Sequence, residues 1–368
     1  MQFKGGVLLR QRLLLVGAGH AHLEVINQYG QNPNDDVDVC LLSPSKYQYY
    51  SGMLSGYVEG LYEKEEIRIN VEKMAEKAGV NFIKKRADFV NPKRKKLHCE
   101  GGAVYPFDMI SFDIGSNKVP DQFQYSFTQS VKPYSHFVDQ ISSLREAPMP
   151  LIIGGGAAGS ELALALQAYK NNHNAVGQVR LVTSTEVLSS GSKGSTKKLR
   201  SILKEAGVQL WEHEKVKELY DDYVLTHTNN RIRHSDLLWM SGPQADEIFK
   251  RSSLQVDKRG FALVQDTLQF EDYDFMFGAG DCVTMSSHPD LDKSGVYAVK
   301  QGPVLFENLL NFVKGAPLQP FKPQKQALYI LSTGNKKGLF LYGKLKNHSF
   351  SAWKLKNKID ESFIRKYQ

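Results

Sequence analysis

The sequence predicts an α/β chain: two parallel strand–turn–helix–strand units followed by a small C-terminal α+β segment. Three observations carry this reading. The apolar run LLLVGAG passes into helix-like AHLEVINQY and then into strand-like DVDVCLLSP. The run PLIIGGGAAGSELALALQAY, followed by GQVRLVTS, repeats that order more cleanly, as an internal duplication of a parallel unit would. From about residue 320 the pattern changes. There, QALYILSTGNKKGLFLYGKL reads as two strands around a Gly-Asn turn, and SAWKLKNKIDESFIRKYQ as a basic amphipathic helix.

Length and composition bound the function. A chain of 368 residues has room for two or three domains with real cores. No apolar run reaches membrane-spanning length, because Gly, His or charge interrupts each within about 15 residues. The first apolar run enters a Gly-x-Gly turn with no small-residue cleavage site behind it. That argues against a secretory signal and sets a cytoplasmic expectation. The net charge of +8 favours anionic partners such as cofactor phosphates or lipid headgroups, or reflects a merely basic surface. No nucleic-acid module is present, so no nucleic-acid partner is expected. Cys40, Cys99 and Cys282 lie far apart and outside any Cys-x-x-Cys pair, against both structural zinc and a local redox disulfide.

The turns carry the chemistry. Gly154, Gly156 and Gly159 form Gly-x-Gly-x-x-Gly between a strand and a helix, the context a dinucleotide-binding turn requires. The first glycine permits the tight turn, the second lets a diphosphate approach the backbone, and the third lets helix and strand pack closely. The helix start adds free N–H groups and roughly half a positive charge. The earlier turn has Gly17, Ala18 and Gly19, followed by His20, but His22 stands at the third glycine. A His-x-His metal site is the weaker reading, since residues two apart on a helix point away from one another and no third ligand is evident. A histidine packed against the turn is the better one, and no metal site is expected. Both units therefore read as Rossmann-like dinucleotide-binding domains.

Neither unit ends its second strand with the acid that usually holds a ribose 2′-hydroxyl. The first ends Leu42-Ser43-Pro44 and the second Val182-Thr183-Ser184-Thr185. At the second, Arg180 and Lys193 are candidate partners for a 2′-phosphate; alternatively Thr183 and its neighbours hold the ribose of NADH. Two glycine exits, Ile114-Gly115-Ser116 and Met240-Ser241-Gly242, follow later strands. Gly278-Ala279-Gly280-Asp281 follows a third apolar run. Its aspartate suits a polyol or a helix N-cap equally.

Taken together, these turns resemble the two-dinucleotide-binding-domain flavoproteins, the pyridine nucleotide-disulfide oxidoreductase superfamily, over nearly the whole chain. KYQYYSGMLSGYVEG, GVYAVKQGPVLFENL and WKLKNKIDESFIRKY look like its type II NADH dehydrogenase-like branch. Within that branch they are most similar to the flavoprotein module sometimes fused to selenophosphate synthetase. The kinase-like partner of that fusion is absent, so a selenium link is analogy only.

The resemblance implies FAD at the first unit and NADH or NADPH at the second. Gly17, Ala18, Gly19 and His20 would meet the FAD diphosphate, with Ser43 and Gly115 near the adenosine half and Gly280-Asp281 on the ribityl chain. Gly154, Gly156, Gly159, Thr183 and Gly242 would hold NAD(P)H. Glu161 would lie at the nicotinamide–flavin contact, and Lys300, Gln301 and Gly302 beside the isoalloxazine where a quinone or similar small acceptor approaches. It implies an FAD domain in two parts (1–117 and 246–316), an NAD(P)H domain (118–245) and a C-terminal interface or membrane-surface segment (317–368). Where disulfide-using relatives carry a redox cysteine, this chain has Ser51-Gly52, and serine cannot form the mixed disulfide. Electrons would pass from flavin directly to an external acceptor. Two other readings stay open: an electron donor to a small redox protein, and a non-catalytic flavin- and nucleotide-binding regulator. Leu355, Ile359, Phe363 and Tyr367 form a helical stripe among lysines. It would lie on anionic lipid at the inner face of the cell membrane, pack on the core, or contact a second copy in a homodimer.

Overall fold

The computed structural model describes all residues except 1–2, 5–6, 9, 117–118, 126–127, 131–133 and 325–327. The domain boundary expected at 117/118 lies outside the described residues. In chain order, β1 (Gln11–Val16), α1 (His20–Gln31) and β2 (Val37–Ser43) form the first unit. Next come α2 (Leu54–Glu59), α3 (Val71–Lys77), β3 (Asn81–Lys84) and β4 (Met109–Phe112). The second unit contains β5 (Thr128–Ser130), α4 (Tyr134–Glu146), β6 (Pro150–Ile153), α5 (Ala157–Asn172), β7 (Arg180–Val182), α6 (Lys193–Glu205), β8 (Gln209–Trp211) and β9 (Asp236–Trp239). The chain then returns through β10 (Met276–Gly278) and α7 (Gly295–Lys314). It closes with β11 (Tyr329–Ser332), β12 (Gly338–Tyr342), β13 (Leu345–Ser349) and α8 (Phe350–Tyr367).

Two five-stranded parallel sheets result. The first has the order β10-β4-β1-β2-β3 and the second β5-β9-β6-β7-β8. In each, the strand that feeds a glycine turn is central. Leu13 to Val16 and all of Pro150–Ile153 are buried, as strands covered on both faces must be. The register puts the carboxyl ends level: Val16 lies opposite Leu42 and Phe112, and Ile153 opposite Val182 and Trp239. Ligands of open parallel sheets bind beyond such ends.

The C-terminal segment is a three-stranded antiparallel meander, with α8 laid on β12. The sequence marks two of its strands and misses β13. That strand, LKNHS, is a mostly exposed edge strand without an apolar alternation to read. α8 reaches back to the first unit, where Lys366 Nζ and Tyr367 OH both donate to the buried Glu24 carboxylate on α1. No described helix is long and apolar enough to cross a membrane.

Candidate functional site

The second turn has the geometry its three glycines imply. Gly154 sits at φ +121°, a left-handed backbone conformation that favours glycine. A Cβ on Gly159 would lie 1.9 Å from Gly154 O, so the third glycine is what lets α5 close on the strand. A Cβ on Gly156 would meet nothing within 4 Å. Its backbone is bare on the side from which a diphosphate would come, and it is the N-cap of α5. Thr183 is buried at the end of β7 with its side chain against Gly155. Gly242 takes φ +59° in the opposite exit loop. Arg180 opens β7, at the end away from the turn, and is held by Gln209 Oε1 and Arg233 O. It is therefore removed as a 2′-phosphate partner.

The first turn is built differently. His22 is fully buried at the third-glycine position. Its Nδ1 donates to Gly17 O at 2.7 Å, which leaves Nε2 to accept from Ser111 Oγ at 2.8 Å. Burial depresses its pKa to about 4, so the ring is neutral and both nitrogens are used. The histidine packs against the turn. Among the described residues no three His, Cys, Asp or Glu side chains gather as a metal-binding group. Asp113, just past β4, extends its carboxylate to the start of α1, where Oδ2 accepts from Ala21 N at 2.8 Å and His22 N at 3.1 Å. A Cβ on Gly19 would lie 2.1 Å from Asp113 Oδ1, one on Gly280 2.6 Å from it, and one on Gly17 2.4 Å from Asp113 O. All three glycines clear the same aspartate. The sequence reading assigned Gly17 and Gly19 to the diphosphate alone and missed Asp113, whose only signal was an acid at the end of an apolar strand.

Other expected residues fall around this turn. Gly115 has φ +70°, and Ser116 Oγ donates to Asp281 Oδ2 at 3.5 Å, which places the first exit against the Gly280-Asp281 turn. Gln301 is buried on α7, its Oε1 accepting from Gly280 N at 2.7 Å. Gly302 admits α1, since a Cβ there would lie 2.6 Å from Glu24 Cβ. Lys300 is exposed and donates to Gln324 Oε1, so it does not join Gln301. Ser43 is buried and donates to Ser45 O at 3.0 Å. His20 packs edge-on to Tyr50, ring centroids 5.7 Å apart, and beside Phe363.

Glu161, in the first turns of α5, meets a cluster the sequence reading did not assemble. Its Oε1 accepts from Ser332 N at 2.6 Å. Burial pushes its carboxyl pKa up, with Lys356 pulling back. Lys356 on α8 donates to Gly52 O and to Asp360 Oδ2 at 2.6 Å, and Asp360 Oδ1 accepts from Tyr50 OH at 3.0 Å. Burial acts against the Lys356 ammonium, but Asp360 and Glu161 outweigh it and hold its pKa above the usual lysine value. A largely enclosed cation, its side chain 12% exposed, thus stands beside Ser51-Gly52. The available signal was Lys356 and Asp360 at i, i+4. The apolar stripe holds for its second half only: Phe363 stacks on Tyr50 and Tyr367 is buried, but Leu355 and Ile359 are 41% and 46% exposed, and the inward face is Ala352, Lys356, Asp360, Ile364 and Tyr367.

The donor sets fit two dinucleotides. The bare Gly156 turn suits one diphosphate. At the first turn Asp113 takes the amides of Ala21 and His22 on its carboxylate and that of Gly19 on its carbonyl, so the other would be met at the rim formed by Gly115, Ser116 and Asp281.

Comparison with known proteins agrees with this geometry. A "Probable NADH dehydrogenase" of Dictyostelium discoideum is 23% identical, covering 92% of this chain and 82% of the relative. A type II NADH:quinone oxidoreductase of Staphylococcus saprophyticus is 22% identical over 85% of each chain. The solved sulfide:quinone oxidoreductase of Aquifex aeolicus superposes with a TM-score of 0.82 at 17% identity, covering 97% of this chain and 91% of its own. At that identity the likeness is one of fold. The model of the pyridine nucleotide-disulphide oxidoreductase family matches residues 11–302, and the chain belongs to that family.

Proposed function

We propose that the chain is an FAD-dependent oxidoreductase that takes hydride from NADH and passes two electrons to a quinone, without a redox disulfide. The observation that carries this reading is the largely enclosed Glu161–Lys356–Asp360 cluster against Gly52, with Glu161 on the same helix that the open Gly156 turn starts. Bound FAD supplies the two-electron relay between nicotinamide and acceptor. The protein binds, orients and excludes water. Gly154, Gly156 and Gly159 seat the NADH diphosphate at the start of α5, and Thr183 and Gly242 flank its path. Glu161 orients the nicotinamide end. Gly115, Ser116, Gly280 and Asp281 hold the flavin nucleotide, and Gln301 fixes the Gly280 turn. α8 covers the cluster, and correct placement alone is worth several kcal/mol of barrier (roughly 7–11 in the best cases).

The relatives support the acceptor class: the Staphylococcus relative is named for NADH and quinone. The proposal divides the chain as the resemblance does, with the flavin part split around the NADH part. It also sets the exposed Leu345, Phe350 and Ile359, with Lys354 and Lys358 beside them on α8, on an anionic lipid surface. Vesicle co-sedimentation that survives Leu345→Gln with Phe350→Gln would remove that contact. A dimer in sedimentation velocity without vesicle binding would assign the patch to a second copy.

The deciding experiment is an anaerobic visible spectrum of the purified protein before and after NADH, then NADPH. Rapid bleaching of flavin absorbance by NADH is the expected result. A yellow protein that neither nucleotide bleaches ends the dehydrogenase reading.

A further inference from the structure

Beside the second turn, the acid that sheets of this kind carry for the adenosine ribose is displaced. The end of β7 holds Thr183 where that acid usually stands, and the Thr183 side chain packs against Gly155. The register supplies a substitute one strand outward. Val182 on β7 lies opposite Trp211 on β8. The next residues along, Thr183 and Glu212, therefore stand level at the carboxyl ends of neighbouring strands, about 4.8 Å apart in backbone.

The Glu212 carboxylate is pinned close to the turn. Its Oε1 accepts from Val187 N at 2.9 Å, and the next amide, Leu188 N, donates to Gly155 O at 2.8 Å. Arg200, reaching from α6, donates Nε to Glu212 Oε2 at 2.6 Å and Nη2 to Glu212 Oε1 at 3.0 Å, and Nη2 also donates to Glu186 Oε1 at 2.9 Å. Burial acts against the Glu212 charge, but Arg200 and the Val187 amide outweigh it and hold its pKa below the usual carboxylate value. Two carboxylates thus share one guanidinium. With a single acid the pair would be neutral; the second acid makes the loop that leaves β7 negative. Glu214 does not contribute, since its N–H donates to Thr183 O but its carboxylate turns to Thr228 and Asn230. Of the nearby cations, Arg200 is committed to the acids, Arg180 lies at the far end of β7, and Lys193 is exposed at the first position of α6.

We propose that the Glu186–Arg200–Glu212 bridge is the specificity element of the second unit, rejecting a dinucleotide with a ribose 2′-phosphate and so selecting NADH over NADPH. The inference rests on the reading of that unit as the NADH site. A 2′-hydroxyl is neutral and meets the negative edge without repulsion. A 2′-phosphate brings about two negative charges to it. Without the acids, the Arg200 fork would become a phosphate partner instead.

The test uses the full chain loaded with FAD and the oxidised pair NAD⁺ and NADP⁺, which leave the flavin unreduced, with binding read by calorimetry. The wild type should bind NAD⁺ at least about tenfold more tightly than NADP⁺. Glu186→Gln, at a half-exposed position, should narrow that gap by roughly threefold. Glu186→Gln with Glu212→Gln should bring NADP⁺ at least to the affinity of NAD⁺, and adding Arg200→Gln should take that gain away. Lys193→Gln, and Glu72→Gln on α3 as a control, should leave the ratio unchanged. An unchanged ratio in the double variant overturns the proposal, as does a ratio that Lys193→Gln alters more than the acid variants do. Glu186→Gln alone keeps the Glu212 contacts to Val187 and Arg200, and it decides the matter if the double variant does not fold. A wild-type chain that binds both nucleotides alike ends this inference only; one that binds neither ends the dehydrogenase reading with it.

Discussion

The two glycine turns begin alike and are locked by different means. In the second, Gly159 lets α5 close directly on Gly154, and the backbone at Gly156 stays open. In the first, His22 replaces close packing with two hydrogen bonds, and Asp113 occupies the helix amides that a ligand would otherwise share. The same Gly-x-Gly spacing therefore leaves the backbone bare in one turn and makes room for an internal carboxylate in the other. A glycine motif states that something approaches the backbone; it does not state what.

That contrast can be broken by substitution. The largest expected effect is Gly19→Ala, whose Cβ would collide with the Asp113 carboxylate. It should cost about 3 kcal/mol of stability by denaturant unfolding, as overpacking at a rigid contact does. Comparable loss in a background already carrying Asp113→Ala would show that Asp113 is not the obstacle. Acid should act on the first turn nearly as strongly. His22 is depressed to about 4 when folded and near 6.5 when unfolded, so the unfolded chain binds more protons between those values. Its stabilisation is complete above pH 6.5 and falls by about 3 kcal/mol as the pH drops to 4. His22→Asn should flatten that limb, measured as the difference between unfolding curves at pH 7 and 4.5.

The second turn should respond in the opposite sense. Gly156→Ala meets open space, so the melting temperature should not move, while NADH binding weakens by at least about tenfold, or 1.4 kcal/mol. A melting shift without loss of NADH affinity would reverse the assignment. The smallest effect is expected from Asp113→Asn. It should cost about 1 kcal/mol in the apoprotein, because a carboxylate at a helix start is lost. It should also tighten FAD binding in a fluorescence titration, since a negative charge leaves the neighbourhood of the diphosphate.

The sequence showed the parallel sheets plainly, because buried strands followed by glycine turns leave a local record. Glu161, Gln301 and the ribityl role of Asp281 came from the family resemblance and not from spacing. The sequence did not show Lys356 and Asp360. Their burial depends on Tyr50, Gly52 and Glu161, and apolar periodicity cannot register a polar face that finds partners elsewhere. The stripe at Leu355 and Ile359 misled for the same reason. Asp113 was hidden because its role follows from the level ends of β1, β4 and β10, which is a property of register.

The ties between Glu24 on α1 and Lys366 and Tyr367 span more than three hundred positions. The second sheet, in contrast, is contiguous from Thr128 to Trp239, whereas the first waits for Met276–Gly278 to complete its edge. During synthesis on a ribosome, then, the middle of the chain closes first. The unit around the first sheet is finished only when α8 emerges, an order that protease sensitivity of chains stalled at successive lengths would record. The flavin would load after translation, onto a fold whose first helix is the last to be secured.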